Sequence, residues 1–191
     1  ILVIPPVLEI GAGYQMTLNG HMRGAEHILI AGGSAVMLLG SQASAAAGNL
    51  TAEEKNHFFW QTLHIESGGT LKSGSSTQTI VAKTIGIGTS GATGYTSTLR
   101  VESTVYLRAH QVIVGAEGKI EGKGLGYSQA SGPGKSLSTS IAASHGGVGY
   151  GQTWTVGDYQ GGYGSIRRPF ERGSGGSTCA GGAAVIIEAP D

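Results

Sequence analysis

Aspartate is almost missing from this chain: Asp158 and Asp191 are the only two, against ten glutamates. Chemistry that needs clustered carboxylates, whether to hold calcium or to act as general acid and base on a glycosidic bond, finds little to work with. Cysteine is reduced to Cys179, which excludes an internal disulfide. A lone thiol reads first as a small buried apolar residue, and an intermolecular bridge through Cys179 is the sharper alternative. Charge is scarce as well. Only 13% of residues are charged and the formal net charge is zero, so nothing steers the protein to nucleic acid or an anionic membrane. No run is long and apolar enough to span a bilayer. Ile1 opens an apolar stretch with neither Met nor a basic segment, so no signal peptide is read, and the chain looks like a mature or excised piece.

What is abundant is glycine, 35 residues in 191, beside 39% hydrophobic residues. Val, Ile and Leu recur throughout, which excludes a disordered composition. Glycine has no three-residue period, which excludes collagen. The length suits one domain with a real core. A template repeats along the first 121 residues: apolar at positions 0 and 2, a small-residue turn, apolar again at position 8. It fits Leu8, Ile10 and Met16, then Ile28, Ile30 and Val36, then Leu63, Ile65 and Leu71, then Val112, Val114 and Ile120. Leu99, Val101, Val105 and Leu107 form a less regular copy.

Alternate apolar residues turn one face of a short strand inward, and glycine supplies the corner. Such a unit cannot bury its face alone and must stack on a neighbouring copy. The expectation is an all-β chain, a parallel β-helix (β-solenoid) whose first two coils start 20 residues apart. Ile10, Ile30, Ile65 and Val114 would share one internal column. Glu9, Leu29, His64 and Ile113 would point outward. An antiparallel sandwich with glycine turns is the competing fold. Residues 41–60 read as a loop or short helix inserted between coils, with Thr51 and Glu54 as a capping box.

Residues 122–182 read as a long glycine-rich excursion, and 183–189 as a returning core strand with Ala184, Ile186 or their neighbours inward. Tyr127, Tyr150, Trp154, Tyr159, Tyr163 and Phe170 are interleaved with the glycines and argue for a packed loop rather than a linker. The succession Gly122-Lys-Gly-Leu-Gly-Tyr, Ser131-Gly-Pro-Gly, Ser144-His-Gly-Gly-Val-Gly, Gly173-Ser-Gly-Gly and Gly181-Gly-Ala-Ala-Val-Ile-Ile-Glu-Ala resembles a glycine-rich module of very large secreted and cell-surface proteins. These occur in protists, algae and some bacteria, and include proteins of flagellar hairs (mastigonemes). The resemblance covers roughly 115–189. It implies a right-handed parallel β-helix, a mostly structural role and no active site. The chain departs from the pattern at Ala183-Ala184 and at Cys179.

The search for chemistry returns no catalytic, cofactor-binding or metal-ligating residues. His21, His27, His57, His64, His110 and His145 have no metal-ligand spacing, and Glu66 and Glu102 read as a solvated surface pair. Gly86-Ile-Gly-Thr-Ser-Gly91 satisfies a dinucleotide fingerprint, but no helix follows to meet a pyrophosphate. Gly134-Lys135-Ser136 lacks the first glycine of a P-loop, since Gln129 stands there. The threonines of 77–98 show no coil period, against an ice-binding face. Asn49-Leu-Thr51 is an N-glycosylation sequon, which fits an accessible insertion in a secreted glycoprotein.

The sequence therefore points to a non-enzymatic structural module of an extracellular filament, wall or cell-surface assembly. It needs no cofactor, and self-association or continuation into further coils is its activity. Apolar strands at both termini, without caps, carry that expectation. Two alternatives stay open: an adhesin or glycan-binding β-helix module, and an unrecognised carbohydrate-active β-helix enzyme.

Overall fold

The structure, a computed structural model, describes residues 2–46, 55–135, 143, 163–164 and 170–189. Two compact units emerge, one formed by Ile1–Val101, Val105–Glu121 and Ile187–Asp191, the other by Glu102–Thr104 and Gly122–Ile186. Among the described residues there is no helix, and no segment is a helix long and apolar enough to cross a membrane.

The chain runs through β1 (Leu2–Val3), β2 (Val7–Ile10), β3 (Gln15–Leu18), β4 (His21–Arg23), β5 (His27–Ala31), β6 (Val36–Leu39) and β7 (Ser44–Ala46). It continues through β8 (His57–Glu66), β9 (Thr70–Lys72), β10 (Gln78–Ile87), β11 (Ser97–Arg100), β12 (Thr104–Val114), β13 (Gly118–Glu121) and β14 (Ala184–Glu188). These strands make two sheets. One has nine strands, ordered β1-β4-β7-β8-β10-β12-β14, with β5 joined to β8 and β2 joined to β5. The other has five, ordered β13-β11-β9-β6-β3. Each recorded pairing is parallel, which excludes the antiparallel sandwich. Parallel neighbours need a crossover instead of a hairpin, and here the chain crosses by visiting the second sheet before returning to the first. The arrangement is consistent with a β-solenoid.

Register makes the core. Ile10, Ile30, Ile65, Ile87 and Val114 stand in one column, strand over strand. Leu8, Ile28, Leu63, Ile85 and Val112 form the next. Ile28, Ile30, Leu63, Ile65, Ile85 and Ile87 are fully buried, whereas Val114, at the end of its column, is 46% exposed. On the second sheet Met16, Met37, Leu71, Leu99 and Ile120 align. Three details depart from the sequence reading. Val36 is not the third apolar position of its coil: it pairs with Gln15, and Met37 takes the place, because the turn through Ser34 (φ +64°) is one residue longer. Leu99 does not begin a copy but aligns with Leu71 on the second sheet. The copy of that coil begins earlier, at Ile85-Gly86-Ile87 in register with Leu63-His64-Ile65 on the first sheet.

Residues 41–60 are not one insertion, though Thr51 and Glu54 lie outside the described residues. Ser44–Ala46 is strand β7, paired with β4, and His57–Trp60 opens β8. Ala43 and Ala45 are fully buried, and Ala45 stands in register between Met22 and Phe58. From the third coil onward the strands of two faces merge into single strands of ten or eleven residues, β8, β10 and β12. Each bends at one residue, Gln61, Lys83 or His110, where regular pairing lapses. Trp60, Ala82 and Ala109 pair before the bend, and Thr62, Thr84 and Gln111 after it. In the coil below, the Glu26 carbonyl accepts from both Gln61 N (2.7 Å) and Thr62 N (3.2 Å). That is the two-against-one geometry of a bulge, which turns a strand without breaking its ladder.

The second unit is held differently. Gly126 N donates to Gly181 O (2.8 Å), Tyr127 N to Gly173 O (3.0 Å) and Gly173 N to Gly182 O (2.8 Å). A Cβ on Gly181 would collide with the Gly173 carbonyl, so glycine is required by the closeness of two backbones. The Arg172 guanidinium lies 4.5 Å from the centre of the Tyr127 ring, and Tyr163 Oη donates to Arg172 O (2.5 Å). Tyr127 and Tyr163 are therefore packed, while Phe170 is 39% exposed. Tyr150, Trp154 and Tyr159 lie outside the described residues.

Candidate functional site

The edges of the sheets are the first candidate. β1 and β3 end their sheets, and β2 pairs only with β5. Val3, Val7 and Tyr14 are 73%, 58% and 73% exposed. Between β2 and β3 opens a mouth of about 500 Å³ lined by Leu8, Ile10, Tyr14 and Met16 among others. Unpaired strand edges beside an open core are a template for further pairing. At the opposite end of the second sheet stands β13, and Ile113 and Val114 at the end of β12 are exposed. The two edges carry the same apolar spacing: Leu8, Ile10 and Met16 at one, Val112, Val114 and Ile120 at the other. Lys119 and Glu121 pair at 3.4 Å on the second edge.

A buried carboxylate is the second. Glu66, 6% exposed, ends β8. Thr89 Oγ1 donates to its Oε1, Ser90 N donates to its Oε2 at 2.9 Å, and His64 Nδ1 stands 3.6 Å from Oε1. Burial alone would push the carboxyl up. The hydrogen bonds from Thr89 and Ser90 outweigh it and hold the group below its ordinary value. Glu66 thus pins the turn after β10, the same turn whose glycines satisfy the dinucleotide fingerprint. Gly88 there has φ +63° and a Cβ on it would strike Gly118 N, while a Cβ on Gly86 would meet His64 Nδ1 at 2.7 Å. These glycines serve backbone approach and the seating of an imidazole. The expected solvated pair of Glu66 with Glu102 is replaced by these hydrogen bonds.

A third feature lies along the bends. Gln61, Lys83 and His110 are exposed and occupy the same place in three successive strands. With Trp60, Val81, Ala82, Arg108, Ala109, Glu188 and Ala189 they line an open groove of about 540 Å³. Arg108 Nε binds Glu188 Oε2 at 2.6 Å. Trp60 is 5% exposed, and its indole Nε1 is buried without a hydrogen-bond partner among the described residues. Sequence reasoning missed this groove. The available signal was the break in alternation at Trp60-Gln61-Thr62, which an apolar-spacing template passes over.

The remaining expected sites resolve as follows. Cys179 is an exposed free thiol, not a buried one. Asn49, Asp158, Asp191 and His145 lie outside the described residues. Ala184 and Ile186 are buried on β14, as the strand pattern predicts. His21 bonds Ser44 Oγ at 2.6 Å and His27 bonds Thr62 Oγ1 at 3.0 Å, each across a paired strand. Among the described residues no group of three or more His, Cys, Asp or Glu could hold a metal ion. No family model, curated protein or solved structure matches the chain.

Proposed function

We propose that the chain is a structural module of an extracellular filament, wall or surface assembly, wound as a right-handed parallel β-helix, and that it acts by binding a second copy of itself. The observation that carries this reading is the shared spacing of the two exposed edges. A second copy placed with Leu8, Ile10 and Met16 over Val112, Val114 and Ile120 continues the aliphatic columns and the backbone ladders together. The contact is heterologous, since it joins unlike surfaces, and a heterologous contact that does not close propagates as a filament. In this reading Asn49 carries an N-linked glycan, and Cys179 is the thiol available to join copies in an oxidising compartment. Intact-mass analysis of native material reads the first. Electron microscopy tests the reading as a whole: the purified chain at high concentration is expected to form filaments, and dispersed single particles at every concentration would overturn it.

A further inference from the structure

We propose that the groove along the strand bends binds an acidic saccharide chain, a property separate from self-association and resting on different residues. The argument begins with the row of bends. Strands in a sheet stand about 4.8 Å apart, so Gln61, Lys83 and His110 present a polar side chain at each such step along the stack. A ligand that matches them is a polymer with acceptors repeating along its length. The side chains on offer are rich in donors: the Gln61 amide, the Lys83 ammonium, the Arg108 guanidinium and the His110 ring. Among the described lining residues the one carboxylate, Glu188, is already bound to Arg108. That leaves the Lys83 charge in excess, so the groove favours an anion.

The rest of the wall is apolar: Val81, Ala82, Ala109 and Ala189. Mixed donors over an apolar floor suit a sugar ring, which offers hydroxyl acceptors at its edge and C–H groups on its face. The site lies at paired strands, β8, β10 and β12. On either side of the bends their backbone groups are spent on one another, so the floor of the groove offers a ligand side chains in place of an unpaired strand. Trp60, in the groove's own wall, adds a reporter.

The test uses the full chain carrying Trp154→Phe, so that Trp60 is the only tryptophan. Three probes are titrated: an oligogalacturonate, a sulfated oligosaccharide of similar length, and a neutral cello-oligosaccharide. Trp60 fluorescence and calorimetry are read together. One or both acidic probes are expected to bind and to shift Trp60 emission, with affinity falling as salt rises. The comparison of the two acidic probes shows whether carboxylate or sulfate is preferred. Lys83→Glu should weaken binding on the order of tenfold, because reversal removes one attraction and adds one repulsion. Circular dichroism checks that this variant, altered at an exposed side chain, remains folded. Equal binding of the neutral probe, acidic binding indifferent to Lys83→Glu, or no binding of any probe would overturn the proposal. None of these results depends on whether the chain forms filaments.

Discussion

The two units solve the same problem, satisfying the backbone while excluding water, by opposite means. In the coils, parallel ladders carry the hydrogen bonds and aliphatic columns such as Ile10, Ile30, Ile65 and Ile87 fill the interior. In the glycine-rich unit the described backbone segments approach so closely that Gly173 and Gly181 leave no room for a side chain. The first design tolerates change at its outward face and fails when a column loses volume. The second has few side chains to truncate, and it fails when one is added, as the coils do only at tight corners such as Gly88 and Gly118.

That contrast can be broken by substitution. Ile65→Ala should have the largest effect, a loss of about 2–5 kcal/mol, because a fully buried column residue leaves a cavity its stacked neighbours cannot fill. Urea denaturation monitored by circular dichroism reads it. Gly181→Ala should cost about 1–3 kcal/mol through the clash with the Gly173 carbonyl. Hydrogen exchange at the Gly126 and Tyr127 amides should then rise, while exchange in β8 and β10 stays slow. Gly11→Ala, a corner of the first coil with nothing within 4 Å of a built Cβ, serves as the control and should shift stability by less than about 0.5 kcal/mol. Equal costs at Gly11 and Gly181 would erase the distinction between an open corner and a close approach of two backbones.

A smaller effect sharpens the account of the coils. Glu66→Gln should cost about 1 kcal/mol near neutral pH, since the hydrogen bonds from Thr89 and Ser90 favour the charged form. The folded carboxyl titrates below its ordinary value. Its contribution is therefore present above the unfolded value and is lost as pH falls through the folded one. The gap between wild type and variant should close in acid, as read by denaturation midpoints at pH 7 and pH 3. A gap that widens in acid would mean that Glu66 is held protonated.

Much of the coil was legible because stacking repeats one spacing and burial repeats one residue type. Leu8, Ile28, Leu63 and Val112 stand in register as their shared template position requires. The misses have physical causes. Ile85-Gly86-Ile87 was hidden because its outward residue is glycine, which makes room for His64, and because the glycines around it mimic a phosphate loop. Met37 was displaced by one residue because the turn between β5 and β6 is one residue longer than the turns of the neighbouring coils, which composition does not announce. The groove was hard to read because a bend made by Gln61, Lys83 and His110 repeats no single residue type. It is defined by lapsed pairing, of which the sequence shows only the break in alternation at Trp60-Gln61-Thr62. The glycine-rich unit has no apolar period at all. Its contacts are backbone to backbone, and sequence shows only that glycines are needed, not which ones meet.

The central claim is that one edge of this protein fits the other. Val7→Lys and Val114→Lys place a charge on opposite edges, and sedimentation velocity reads the outcome for a chain of 19.3 kDa. Wild type should grow with concentration beyond the dimer, and each variant alone should sediment as a monomer. Mixed in equal amounts, the two should form a dimer and stop there, because each supplies the one intact edge the other lacks. A wild-type chain that stays monomeric on concentration, or a mixture that stays monomeric while wild type grows, would contradict the account.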